Sequence, residues 1–172
     1  MDAKTVEHTF RFLGETLGFW IQTGALFASA IAAIWLIYTS SESEKHRATI
    51  DLVISQKQDQ ELQVAKKHVL NLHETQVKNF AKYLEDRNSE DFKQIIRVLN
   101  NYEFIAVGIH KKAFDEELFK RMQYSVLIKD WDALCPLVME LRRQNERSTL
   151  FQEFEILAKQ WKKNPLKTED SI

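Results

Sequence analysis

The side chains most able to do chemistry form a polar cluster inside an otherwise apolar stretch. Two amides, a phenol and a carboxylate are consecutive at residues 100–103. Buried groups of these types need hydrogen-bond partners. One interpretation is a structural network in which Asn101 or Glu103 bonds an arginine of a neighbouring helix, Arg97 or Arg121. The other is a ligand or partner site, for which the candidate residues are Asn101, Glu103, His110 and Arg121.

Metal-binding and catalytic motifs give weaker signals. His68 and His73 are five residues apart and do not share a helical face, and Glu61 and His68 can share one but lack further ligands. No H-E-x-x-H, paired C-x-x-C or Gly-rich phosphate loop is present in the sequence. Cys135, the single cysteine, is interpreted as a small buried apolar residue. We therefore predict no catalytic residue, metal site, cofactor or small-molecule substrate.

A stretch without charge, residues 17–38, is predicted to anchor these elements to a membrane. Its 22 residues form a helix of roughly 33 Å, enough to cross a bilayer core of about 30 Å. Aromatic residues lie near both ends, as is typical of membrane interfaces. A signal peptide would have a basic n-region and a shorter apolar run, and a buried core helix would show a polar face. We predict a transmembrane helix.

Small residues recur along this helix at four-residue spacing. A stripe of this kind lets two helix backbones approach closely, either between two copies or with a partner helix. The alternative is that glycine and alanine are simply frequent in membrane helices. The packing candidates are Gly14, Gly18, Gly24, Ala28 and Ala32.

Composition restricts the fold and the partners. The chain has 172 residues and a formal net charge of −1, which does not favour nucleic acid as a partner. Four glycines and two prolines in this length predict an all-α protein. Slightly more lysine and arginine follows the apolar stretch than precedes it, which favours a cytoplasmic C-terminal domain. The predicted location is the bacterial inner membrane, with a single pass.

Hydrophobic periodicity divides the chain into successive helices. Residues 39–87 read as a long amphipathic helix, either a stalk or a plain bundle helix, with a break near 55–59. Residues 95–109 are apolar on nearly all sides and are predicted to lie in the middle of a bundle. Two further helices are predicted to begin, one at Asp115 and the next at Asp130 or Asp132. The last helix is predicted to begin at a capping box, Thr149-x-x-Gln152. The predicted segments are 1–16 (short N-terminal segment), 17–38 (transmembrane helix), 39–87 (long helix), 88–165 (helical bundle) and 166–172 (disordered tail).

Five short stretches together resemble the family catalogued as domain of unknown function 4760, found in bacteria and phages. They are residues 46–51 (HRATID), 100–109 (NNYEFIAVGI), 114–118 (FDEEL), 129–131 (KDW) and 151–154 (FQEF) with 157–159 (LAK) and Trp161. The resemblance implies an N-terminal membrane helix followed by a helical domain. It supplies no activity, substrate or catalytic residue. Some members look similar to cargo of mobile elements, which hints at a role in phage defence or phage–host conflict.

Three functional hypotheses follow from these observations. The first is a single-pass membrane protein whose cytoplasmic bundle binds another protein. The second is a membrane effector or exclusion factor that oligomerises through its transmembrane helix and perturbs the bilayer or a channel. The third and least favoured is an enzyme acting near Glu103 and His110, so the chain is predicted not to be an enzyme.

Overall fold

The computed structural model describes residues 11–12, 15–74 and 83–166. Within these residues the fold is all-α, as predicted, with five helices and one antiparallel pairing of two-residue strands, β1 (Arg11–Phe12) with β2 (Glu15–Thr16). The predicted tail lies outside the described residues except for Leu166. The helices are α1 (Leu17–Gln58), α2 (Gln60–Glu74), α3 (Glu90–His110), α4 (Glu116–Asn145) and α5 (Gln152–Lys163).

Helix α1 contains the predicted transmembrane stretch. Within the part of the chain that the structure describes, it is the one helix that is long and apolar enough to cross a membrane. Within residues 19–38 its large apolar side chains are exposed, from 41 % at Trp20 to 72 % at Leu26. Exposed apolar side chains on a helix whose backbone bonds are satisfied internally suit a lipid environment.

The chain divides into two compact units between Glu44 and Lys45. The predicted long helix 39–87 is interrupted at Asp59, inside the region where a break was expected. The Asp59 carboxylate accepts the backbone N–H of Leu62 at 2.9 Å and so caps α2. Residues 45–74 belong to the second unit because their apolar positions, such as Val53 and Val69, are buried in its core.

The core of the second unit is built around α3, which packs against α2 and α5. Aromatic rings fill the space between α3, α4 and α5. The rings of Tyr102 and Phe154 are stacked with centroids 4.7 Å apart, and Trp131 meets Phe154 edge-on at 5.0 Å. Such offset and edge contacts stabilise aromatic pairs beyond their buried area.

Helix α4 is a single helix of 30 residues, so the prediction of two helices in this region was wrong. Asp115 does begin it, because its carboxylate accepts the N–H of Leu118 at 2.6 Å. Asp130, however, lies inside the helix and is buried, and its side chain bonds α3 rather than a local N–H. An aspartate before an apolar run is typical of a helix start, but here a tertiary contact takes the carboxylate instead.

Candidate functional site

Glu103, the carboxylate of the predicted polar cluster, caps a helix. Its two carboxylate oxygens accept the backbone N–H groups of Glu153 at 3.3 Å and Phe154 at 2.8 Å, in the first turn of α5. The first N–H groups of a helix have no partner within it and carry partial positive charge, so a carboxylate stabilises them. Glu103 therefore joins α3 to the start of α5.

The local cap predicted for α5 is absent. The N-cap position is Phe151, which has a left-handed backbone (φ 54°) and makes no side-chain capping bond. Thr149 accepts the N–H of Gln152 through its backbone carbonyl at 3.2 Å, so the predicted Thr149-x-x-Gln152 capping box was wrong. The physical reason is that the carboxylate of Glu103, on another helix, occupies the capping site.

His110 meets the same turn of α5. Its Nδ1 contacts a carboxylate oxygen of Glu153, and the two side chains are 25 % and 33 % exposed. Glu103 and His110 are thus brought together, since one binds the backbone and the other the side chain of Glu153. Their shared role is to hold α3 and α5 in register.

Asn101 and Arg121 lie elsewhere. Asn101 Oδ1 accepts a hydrogen bond from Gln56 Nε2 of α1 at 3.1 Å, on the side of α3 away from Glu103. Arg121 bonds Glu117 one turn earlier in α4 at 3.0 Å, and both side chains are more than half exposed. The four predicted candidates do not form one site.

The predicted arginine partners of the cluster also differ from those observed. Arg97 pairs with Glu61 of α2, and Arg121 with Glu117, rather than with Asn101 or Glu103. Residues 101 and 103 point to opposite flanks of α3, one toward α1 and the other toward α5. The direction of each side chain around the helix therefore decides its partner.

A buried network that the sequence did not indicate joins α3 to α4 and α2. Tyr102 Oη donates a hydrogen bond to Asp130 Oδ2 at 2.7 Å, and both residues are buried. The ammonium of Lys66 lies 5.7 Å from the centre of the Tyr102 ring and donates to Gln56 Oε1 at 3.3 Å. The sequence signals were the phenol of Tyr102, which was counted in the polar cluster, and Asp130, which was interpreted as a helix start.

Burial changes the proton affinity of two members of this network. Burial, and then the nearby Asp130 carboxylate, raise the pKa of Tyr102 well above its ordinary value. Burial lowers the pKa of Lys66, and Asp130 opposes that effect. Tyr102 therefore remains a neutral hydrogen-bond donor at physiological pH, which suits a structural link.

The described residues contain no group of three or more histidine, cysteine, aspartate or glutamate side chains that could hold a metal ion. Of the weak metal candidates, His68 has its Nε2 atom 3.1 Å from Oδ1 of Asp91 in α3, and Glu61 pairs with Arg97. Both residues thus connect α2 to α3.

One side of α3 remains exposed, although residues 95–109 were predicted to lie in the middle of a bundle. From Lys93 onward the side chains on it are apolar, cationic or amide, and the exposed carboxylate of Glu90 lies one turn before Lys93. Phe104 is 59 % exposed and Val107 39 %. We call this surface the α3 face and define it as Lys93, Ile96, Arg97, Asn100, Phe104, Val107 and Lys111.

The N-terminal half of the α3 face borders a recess of about 340 Å³. Phe92 and Ile96 are its apolar lining. Its polar lining consists of Arg87, Lys93, Arg97 and Asn100.

The packing candidates of the membrane helix are exposed where they are described. Gly14 lies outside the described residues, whereas Gly18, Gly24, Ala28 and Ala32 are exposed on α1. A Cβ atom added at Gly24 would meet nothing within 4 Å. Packing within this chain does not require a small residue at position 24.

Comparison with known protein families identifies the fold family. The family described as Domain of unknown function (DUF4760) matches residues 23–161, which is most of the chain. The chain belongs to this family. No curated protein and no solved structure matches the chain. The family includes α1 from residue 23 onward and the helical domain as far as Trp161 of α5, so the α3 face lies inside the shared region.

Proposed function

We propose that this protein is a single-pass protein of the bacterial inner membrane whose cytoplasmic helical domain binds a protein partner through the α3 face. The observation that carries the proposal is the exposure of Phe104 and Val107 among cationic side chains. Large apolar side chains exposed together and bordered by polar groups are typical of protein interaction sites.

The chemistry-bearing residues of the domain support binding rather than catalysis. Glu103 and His110 engage the first turn of α5, and Asn101 engages Gln56. Tyr102 is bonded to Asp130 in the core. Groups held in structural links between helices are not available to a substrate, whereas the α3 face is.

Two sequence features support the proposed location and setting. Lys45, Arg47 and Lys57 follow the apolar stretch, which favours a cytoplasmic domain. A single cysteine suits a reducing compartment. Some members of the family look similar to cargo of mobile elements, which supports phage–host conflict as the setting.

The test is capture of the full-length protein from native membranes in mild detergent, with the mass of each complex measured. Phe104→Ser/Val107→Ser removes the apolar part of the α3 face. The matched control is Val64→Ser/Ile156→Ser, since Val64 is 59 % and Ile156 41 % exposed on other helices. We expect a stoichiometric partner with the wild type and the control, and its loss from the α3-face variant. A partner retained by that variant, or no partner at all, would reject the proposal.

A second candidate function is an oligomeric membrane effector that perturbs the bilayer or a channel. The open space around Gly24 favours it, because another helix could approach the backbone closely there. Gly24→Leu/Ala28→Leu should abolish self-association and any conductance of the reconstituted protein. Ala30→Leu, on another side of α1, is the control. Conductance that survives the double substitution would exclude this function.

A further inference from the structure

We infer that the α3 face binds an acidic, amphipathic helical segment of its partner, an inference that rests on the proposed function. The α3 face presents apolar and cationic side chains together.

The charge of the α3 face is positive. Its seven residues include three cations and no carboxylate, and the side chains of Lys93 and Arg97 are 61 % and 44 % exposed. Arg97 already pairs with Glu61 at the border with α2, and Lys93 lies 3.9 Å from Glu90. Arg87, beside the recess, donates to the neutral side-chain oxygens of Gln144 and Asn145. Carboxylates on a partner would complement these cations.

The apolar residues of the α3 face have helical spacing. Ile96, Phe104 and Val107 recur at intervals of eight and three residues, and the recess of about 340 Å³ lies beside Ile96. From Lys93 to Lys111 the α3 face is about 27 Å long at 1.5 Å per residue, or five helical turns. An amphipathic helix that places its apolar side chains in such a groove meets a row of anchors at this spacing.

The position of α3 favours a rod-shaped occupant. The helix lies between neighbours, with α2 on one flank through the Arg97–Glu61 pair and α5 on the other through Glu103. A strip between two flanking helices accepts a third helix along its length.

The experiment is photo-crosslinking of the full-length protein in native membranes. A benzoylphenylalanine replaces Phe104, and the control places it at Val64, which is also 59 % exposed. We expect position 104, but not position 64, to capture a segment of another protein with net negative charge. Lys93→Glu/Arg97→Glu should reduce the yield at least tenfold. Lys129→Glu/Lys163→Glu, which makes the same change in net charge on α4 and α5, should leave it unchanged.

A further variant keeps the test decisive if charge reversal disturbs folding. Lys93→Gln/Lys111→Gln retains the Arg97–Glu61 pair, and we expect it to lower the yield several-fold with an unchanged unfolding temperature. Capture of a neutral or basic segment, of a second copy of this chain or of lipid would overturn the inference, as would a yield insensitive to charge. Capture of a non-acidic protein segment would still leave the proposed function standing. The absence of any captured protein at position 104 would reject both.

Discussion

Two apolar helical stretches of this chain, residues 17–38 of α1 and the whole of α3, satisfy their polar groups in different ways. In α1 the Ser29 hydroxyl donates to the Ala25 carbonyl at 2.8 Å, one turn earlier in the same helix. Just beyond the stretch, Thr39 bonds the carbonyl of Trp35 in the same way at 3.0 Å. A helix that faces lipid has to satisfy its polar groups internally.

In α3 the polar cluster at residues 101–103 bonds other helices instead. Asn101 bonds α1, Tyr102 bonds α4 and Glu103 bonds α5. Apolar content alone therefore does not distinguish a helix able to cross a membrane from the central helix of a bundle. The difference lies in whether the polar side chains hydrogen-bond the backbone of their own helix or groups of neighbouring helices.

The largest expected effect on the free energy of unfolding comes from truncating a leucine, because Leu99 of α3 is buried and Leu26 of α1 is exposed. Leu99→Ala in α3 removes a fully buried side chain and should lower the free energy of unfolding by about 2–5 kcal/mol. Leu26→Ala, at a position 72 % exposed in α1, should leave the domain's stability unchanged. Urea unfolding of the detergent-solubilised protein, followed by tryptophan fluorescence, measures both. Equal effects would contradict the assignment of the two stretches.

The next largest expected effect on the free energy of unfolding comes from replacing a glycine by alanine in each of the two helices. A Cβ atom at Gly108 of α3 would lie 2.2 Å from the Phe114 ring, whereas one at Gly24 of α1 would meet nothing within 4 Å. Gly108→Ala should therefore destabilise the domain by about 1–3 kcal/mol, and Gly24→Ala should not. The double variant Gly108→Ala/Phe114→Ala should cost less than the sum of its single changes. If the losses of stability of the two single variants add up in the double variant, the contact with the Phe114 ring is not what makes Gly108→Ala destabilising.

Removal of the Tyr102 hydroxyl tests the buried network. Tyr102→Phe leaves Asp130 without this donor and should cost about 1–3 kcal/mol at neutral pH. Because folding raises the pKa of Tyr102 above its ordinary value of 10.0, its contribution to stability is present below pH 10 and is lost as the pH rises toward the folded-state pKa. The variant should lack this alkaline loss.

The control for that variant is Tyr124→Phe, at a partly buried tyrosine whose hydroxyl makes only a long contact of 3.5 Å with the Trp161 carbonyl. Equilibrium unfolding between pH 7 and about pH 11 measures both variants. If the free energy of unfolding of Tyr102→Phe still falls at alkaline pH as it does in the wild type, the Tyr102–Asp130 hydrogen bond is not the cause of that fall.

The smallest expected effect concerns the cap on α5. Glu103→Gln retains one acceptor oxygen but loses the charge at the helix N-terminus, and it should cost about 0.5–2 kcal/mol. Faster hydrogen exchange at the amides of Glu153 and Phe154 should accompany it, since Glu103 binds these groups. Glu117→Gln, at a carboxylate 77 % exposed, should change neither quantity. Unchanged exchange in Glu103→Gln would mean that the cap does not hold this turn.

Features that depend on neighbouring residues were predictable from the sequence. The scarcity of glycine and proline indicated an all-α fold, and the uncharged run of residues 17–38 indicated a helix long and apolar enough to cross a membrane. Asp115 starts α4 as predicted, and Ser89 accepts the N–H of Phe92 at 3.3 Å at the start of α3 in the same local way. Capping and helical periodicity act over three or four residues, so the sequence alone contains them.

Contacts between distant residues were decided only by the tertiary structure. Asp130 has the sequence context of a helix start, but the hydroxyl of Tyr102, 28 residues earlier, takes its carboxylate and leaves α4 continuous. Glu103 supplies from α3 the cap that Thr149 was expected to give locally. The exposed side of α3 likewise follows from where its neighbours pack. A side chain's direction around its helix is a local property, but the partner it meets depends on how the helices assemble.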